Sequence, residues 1–210
     1  MVQLTPSGIA GLRAEVTNLM RAGAILLPVM DEDASTRFGR VCAAQLVDLA
    51  LRRHLWFSYD GEHGGVPGLL AHRRPDPADA ADPDEQRLLD VVFGGEDVAR
   101  IARPQPWARW RDMATLVRKG AKADGFGWLG RERYRVQRRM TDLRAAMSVH
   151  ARRTQRNWSD APALYRAGCS FAVLFNLDTA VPHWPMPPEE DLFVPSRLAA
   201  ACHLAHVDAT

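Results

Sequence analysis

Apolar positions recur at helical spacing along most of this chain, with one clear stretch of strand-like sequence. Thr5-Pro6-Ser7 reads as a helix start with proline suited to the first turn, and the apolar pattern predicts helix from there to about Pro28. An acidic turn, Asp31-Glu32-Asp33, precedes a cap at Ser35 or Thr36. Phe38, Val41, Cys42, Leu46 and Leu49 then mark one buried face of a helix over 36–54. Leu55-Trp56-Phe57-Ser58-Tyr59 and Val66–His72, separated by Asp60-Gly61 and Gly64-Gly65, predict a β-hairpin. Arg73–Pro83, rich in Pro, Asp and Ala, reads as a surface loop. Helices are expected at 84–93, 96–103 and 106–119, then a second hairpin with Gly125–Leu129 and Arg133–Val136 flanking Gly130-Arg131. Helices over 138–153 and 160–176, a Pro-rich linker at Val181–Pro188 and a short helix at 196–207 complete the pattern. The expectation is a mainly α fold, a single compact multi-helix domain spanning 1–210 with one or two small β-hairpins.

At 210 residues the chain is long enough for one substantial core. Its most apolar runs, Ala22–Met30 and Ala167–Leu177, are about half the length needed to span a bilayer. Met1 to Gly8 lacks the basic and apolar regions of a signal peptide. Cys42, Cys169 and Cys202 are odd in number and widely spaced, which favours reduced thiols and a cytoplasmic setting. Any membrane association is therefore expected to be peripheral.

Charge changes the picture more than composition does. The net charge of +2 hides a dipolar chain: residues 1–99 carry 9 basic and 15 acidic groups, 100–156 carry 16 and 4, and 157–210 carry 2 and 6. Only Lys119 and Lys122 are lysine, so the positive charge is almost entirely arginine, part of which serves to solvate helix faces. Arginine bias alone does not explain why acids are depleted in the same segment. A focused positive field points to phosphate-bearing partners, either a membrane surface or nucleic acid.

Three groups of residues are candidates for anion binding. Arg37 and Arg40 stand at the start of helix 36–54 with Phe38 between them, where cations oppose the helix dipole unless an anion, or the nearby Asp31 and Asp33, compensates. Arg109 and Arg111 decorate helix 106–119 beside Trp107 and Trp110. Arg131, Arg133 and Arg135 fall on one face of the expected hairpin strand by period-2 alternation, with Tyr134 and Val136 opposite. Arg138, Arg139, Arg152, Arg153 and Arg156 extend that group. Catalytic signals are weak. His203 and His206 beside Cys202 have no second ligand cluster, the Asp31-Glu32-Asp33 turn reads as solvated, and no G-x-S-x-G, Walker A or G-x-G-x-x-G motif occurs. The expectation is a protein that is not an enzyme, with no cofactor and no metal.

A series of short motifs runs in order through the middle of the chain. An apolar helix, Ala24–Met30, runs into the acidic turn. Asp48-Leu49-Ala50-Leu51-Arg52-Arg53-His54-Leu55 follows, then a Pro/Asp loop at Pro75–Asp84 and a Leu88-Leu89-Asp90 helix. Leu116-Val117-Arg118-Lys119-Gly120 and a hairpin at Trp128–Val136 close the series, whose order over roughly 22–150 resembles the Golgi phosphoprotein 3 family, in its bacterial (actinobacterial) branch. The resemblance implies a mostly α-helical adaptor that binds phosphoinositide headgroups on membranes without catalysis, with Arg109 and Arg111 as counterparts of the family's headgroup arginines. The family's first-loop Trp has no counterpart here and Cys42 takes the position of its Arg; Arg37, Phe38 and Arg40 lie one turn earlier. A hairpin that mediates self-association in the family maps near 125–136, so a homo-oligomer through that segment is implied. The region from Asn157 onward departs from the family pattern.

Three functions follow as expectations. The first is a non-catalytic, cytoplasmic, peripheral membrane adaptor binding an anionic phospholipid headgroup, or another phosphorylated ligand, through Arg37, Phe38, Arg40, Arg109, Arg111, Arg131, Arg133 and Arg135, with a possible protein client. The alternative is a nucleic-acid-binding regulator in which a helix and the second hairpin act as a winged helix. The third is a scaffold whose basic centre docks against its own acidic flanks.

Overall fold

The computed structural model describes residues 4–16, 18–26, 34–63, 66–101, 115–117, 119–120, 122–123, 131–153 and 162–177. The first helix, α1 (Pro6–Glu15), starts where Thr5 accepts a hydrogen bond from the Gly8 amide at 3.0 Å. It does not run on to Pro28. Val16 leaves the helical region (ψ 76°), and Asn18 caps a second helix, α2 (Leu19–Leu26), by accepting from the Arg21 amide at 3.0 Å. The Leu19 amide, an otherwise orphaned donor of that first turn, reaches the Gln45 side chain at 3.1 Å. A polar interruption at Asn18 thus divides what the apolar periodicity reads as one helix.

Helix α3 (Ala34–Leu51) is the centre of the packing. From Val41 to Leu49 every side chain is buried, Gln45 and Asp48 included. A helix buried on all sides needs neighbours all round, and α3 packs on α2, on the last described helix, α6 (Pro162–Leu174), and on the first strand. Gly23 of α2 marks the tightest crossing. A Cβ there would sit 2.9 Å from a Val41 methyl and 3.1 Å from Leu174, so only glycine lets the helices approach so closely. The chain leaves α3 through Arg53 in a left-handed conformation (φ 64°), with the His54 amide returning to the Leu49 carbonyl at 2.9 Å.

The first expected hairpin is present as β1 (Leu55–His63) and β2 (Val66–Arg73), antiparallel, with a register shift between Tyr59 and Glu62. Leu55, Phe57, Leu69 and Ala71 face the core, while Trp56, Ser58, Leu70 and His72 are half-buried on the other face. There Trp56 stacks on His72 at 3.9 Å, and Ser58 Oγ lies 2.7 Å from His72 Nε2. A third strand, β3 (Val98–Arg100), pairs with β2 where the sequence predicts helix over 96–103. The reason lies in Gly94 and Gly95, both with positive φ: Gly94 ends α4 (Pro83–Phe93) in a left-handed cap, and the short apolar run after it completes the sheet. Helix α4 opens with a capping box in which Asp82 accepts from the Glu85 amide and Glu85 accepts from the Asp82 amide.

Helix α5 (Arg131–Arg153) replaces the second strand of the other expected hairpin, since residues 131–136 are helical. Its buried stripe is Val136, Met140, Leu143 and Met147, spaced by three and four. The alternation of Arg131, Arg133 and Arg135 with Tyr134 and Val136 mimics a strand over five residues, but the apolar series beginning at Val136 has the helical period. Residues 124–130, most of the expected helix 106–119, the linker at 181–188 and the expected helix 196–207 lie outside the described residues. The described fold is mainly α, with one small three-stranded antiparallel sheet.

Candidate functional site

Helix α5 turns Arg131, Arg135 and Arg138 away from the core. With Val136, Met140, Leu143 and Met147 facing inward, residues 131, 134, 135 and 138 share the opposite face by their three- and four-residue spacing. Arg131, Arg135 and Arg138 are exposed, and Tyr134 is 70% exposed. Arg133 lies toward the flank of the buried stripe and is half-buried. The three arginines expected on one strand face are thus split: Arg131 and Arg135 stay together and Arg133 does not join them. Tyr134, Arg135, Arg138, Arg139 and Asp142 line an open cavity of about 600 Å³. Arg139 also pairs with Glu15 and ties α5 to α1, so it is both wall and anchor. Further along the exposed side, Val149 is 40% exposed.

The remaining expected site residues do not join this face. Arg40 is 8% exposed and donates from Nη1 to the Val173 carbonyl at 3.4 Å, near the C-terminal end of α6. A cation at that end is favoured by the helix dipole, which offsets part of the cost of burial. The side chains of Arg37 and Phe38, near the start of α3, and residues Arg109 and Arg111 lie outside the described residues.

A second cluster, which sequence reading records only as a family-like motif, joins α1, α3, the 74–82 loop and α4. Asp48 accepts from Arg13 Nε at 2.7 Å and from Arg52 Nη1 at 3.2 Å. Glu85, 1% exposed, accepts from Arg52 Nη1 at 2.7 Å, from Arg52 Nη2 at 3.0 Å and from Gln45 Nε2 at 2.7 Å. Asp79 accepts from Arg52 Nε at 2.9 Å and Nη2 at 2.9 Å, and its Oδ1 lies 2.8 Å from His54 Nε2. Asp82 accepts from Asn18 at 2.7 Å and Asp84 from Arg21 Nε at 2.5 Å. Burial alone would push Arg52 toward its neutral form. The hydrogen bonds to Glu85, Asp79 and Asp48, with the nearby charge of Glu85, outweigh that and hold the guanidinium charged well above its ordinary range. The hydrogen bond from Arg52 holds the Asp79 carboxyl below its ordinary range, with smaller contributions from His54 and against a desolvation penalty. The sequence signal for this cluster was the i, i+4 pair Asp48 and Arg52; the partners from α1 and α4 carry no such local signature.

Among the described residues no group of three His, Cys, Asp or Glu could hold a metal ion, and His203, His206 and Cys202 lie outside them. Among the described residues no helix is long and apolar enough to cross a membrane. Comparison of the chain with protein-family models, curated proteins and solved structures finds no match.

Proposed function

We propose that the chain is a non-catalytic, peripheral membrane protein whose α5 lies along an anionic surface and binds phosphorylated headgroups through Arg131, Arg135 and Arg138. The observation that carries this reading is the exposed face of α5, where arginines flank the outward ring of Tyr134 over a groove. An interfacial helix needs a polar, cationic face that meets headgroups and apolar or amphipathic groups that enter the boundary. Arg131, Arg135 and Arg138 supply the first, and Tyr134 with Val149 supplies the second. Within the groove Asp142 offers an acceptor for a ligand hydroxyl, while the arginines take the phosphate in the forked geometry that suits guanidinium. The adaptor role and the phosphoinositide-like ligand come from the resemblance to the Golgi phosphoprotein 3 family, and the self-associating hairpin does not carry over, because 131–136 are helical.

The nucleic-acid reading loses its wing for the same reason, and it remains as a basic helix without the hairpin that was to grip phosphates. Co-sedimentation with vesicles separates the two. Binding to vesicles containing anionic phospholipid but not to neutral ones, resisting a nucleic-acid competitor and lost in an Arg131→Ala/Arg138→Ala variant, is the expected result. No vesicle binding at low salt, or complete displacement by nucleic acid, overturns it.

A further inference from the structure

The groove on α5 holds a group that a purely cationic surface does not need. From Arg131 the outward row runs by steps of four and three through Arg135 and Arg138, and its next position is Asp142. Asp142 lines the same opening as Tyr134, Arg135, Arg138 and Arg139. The row therefore changes sign inside the groove, from guanidiniums to a carboxylate.

The Asp142 carboxylate is not taken up by its neighbours. Arg138 stands four residues before it, with the cation first, which is the less favourable order for a helical ion pair. Among the described residues no ion pair joins the two. Arg139, three residues before Asp142, is paired with Glu15 of α1. Half-buried Asp142 thus keeps its acceptor capacity for a group outside the chain, one helical turn from a guanidinium that can still donate.

A ligand that satisfies both ends carries an anion for the arginines and, roughly 6 Å further along the helix, hydrogen-bond donors for Asp142. Three headgroup chemistries meet these demands unequally. A phosphomonoester carries roughly 1.5 to 2 negative charges, which Asp142 repels. An ammonium group suits Asp142 but has to lie among Arg135, Arg138 and Arg139. A singly charged phosphodiester with hydroxyls brings the least charge toward Asp142 and brings donors with it, while the guanidiniums take the phosphate. We infer that Asp142 makes the α5 groove selective for a phosphodiester lipid with a hydroxylated headgroup, of the phosphoglycerol kind. The inference rests on the membrane role proposed for α5 and adds a preference that arginines alone would not give.

The test is co-sedimentation of the full-length protein with vesicles of neutral lipid mixed with phosphatidylglycerol, phosphatidylmethanol or phosphatidic acid, at matched zeta potential. Phosphatidylmethanol has the same singly charged phosphodiester and lacks the hydroxyls. Wild type should bind phosphatidylglycerol about fivefold more tightly than phosphatidylmethanol, the effect of one net hydrogen bond, and should bind phosphatidic acid no better than phosphatidylmethanol. Asp142→Ala, with unchanged helical circular dichroism, should bind phosphatidylglycerol and phosphatidylmethanol alike. Equal binding of wild type to the three lipids, tighter binding to phosphatidic acid, or an Asp142→Ala variant that keeps the wild-type preference overturns the inference and leaves the membrane role of α5 standing. Binding to none of the anionic vesicles overturns that role, and the inference with it. Should Asp142→Ala not fold, the wild-type comparison decides alone, and a missing preference for phosphatidylglycerol counts against Asp142.

Discussion

Two arginine-rich regions of this molecule do opposite things with the same side chain. Around Arg52 the guanidiniums of Arg13 and Arg52 are matched by Asp48, Glu85 and Asp79, most of them buried, and the charges join four segments of chain. On the outward face of α5, Arg131, Arg135 and Arg138 stand exposed in a segment that has four acids to sixteen basic groups. The difference is made by neighbours and burial. An arginine surrounded by fixed carboxylates is a structural fastener, and its positive charge is invisible at a distance. An arginine on a face short of acids contributes to a field that an anionic surface can feel. Counting basic residues therefore says little until the carboxylates beside them are located.

The comparison predicts that the two sets of arginines respond oppositely to substitution. The largest effect should follow Arg52→Ala, which leaves the buried Glu85 carboxylate with only the neutral donors of Gln45 and the Asp82 amide and a distant Arg13 guanidinium at 3.9 Å. Breaking a buried pair by removing one partner costs about 3–5 kcal/mol. Urea unfolding is the measurement, and a loss below about 1 kcal/mol would show that the network is not the fastener described here. Next in size is Gly23→Ala, a control free of charge: overpacking where α2 meets Val41 and Leu174 should cost about 1–3 kcal/mol. If it matches Arg52→Ala, helix packing rather than ion pairing dominates this side of the molecule.

How far the sequence carried depended on how local the cause was. The β1–β2 hairpin, the 73–83 loop, the helix over 84–93 and the helix through 138–153 rest on signals within a few residues, and the structure has them. Three elements failed where a local pattern was ambiguous. Asn18 interrupts a helix whose apolar period continues across it. Val98-Ala99-Arg100 is too short to show its own period and becomes a strand because β2 offers an edge. Residues 131–136 alternate like a strand, and only the long-range series Val136, Met140, Leu143, Met147 reveals a helix. For the site, the arginine enrichment was legible but its geometry was not. Period two placed Arg133 with Arg131 and Arg135, whereas the helix separates it. Arg40 reads as a first-turn cation that a bound anion would compensate, yet it is buried against α6. The Arg52 network shows in the sequence only as the motif Asp48–Leu55, because its other carboxylates arrive from more than twenty residues away.

A smaller effect concerns acid. Asp79 has its carboxyl lowered from an ordinary 3.8 in the folded chain, so it contributes stability that is fully present above the unfolded value and is lost as pH falls through the folded one. The stability difference between wild type and Asp79→Asn should therefore be constant from neutral pH down to about pH 5 and shrink below about pH 4. Half-exposure of Asp79 lets solvent screen the pair, so the difference at neutral pH is expected to be about 1 kcal/mol or less. Urea midpoints across this pH range test it. A difference that grows on acidification would place the stabilising charge elsewhere.

The smallest effect on stability, and the sharpest contrast with Arg52, belongs to α5. Arg131→Ala/Arg138→Ala removes two exposed side chains that support no part of the core, so the urea midpoint should change by no more than about 0.5 kcal/mol in free energy. Its effect should fall instead on the proposed membrane contact. Each arginine near an anionic leaflet is worth about 1 kcal/mol, so the pair should weaken vesicle binding by roughly 30-fold, and the loss should diminish as salt screens the surface. Tyr134→Ala, which leaves the charges in place, should weaken binding by a factor that salt does not change, because it acts through burial rather than Coulomb attraction. If the double variant destabilises the fold by more than about 2 kcal/mol, its arginines belong with Arg52 as fasteners, and the distinction between the two regions collapses.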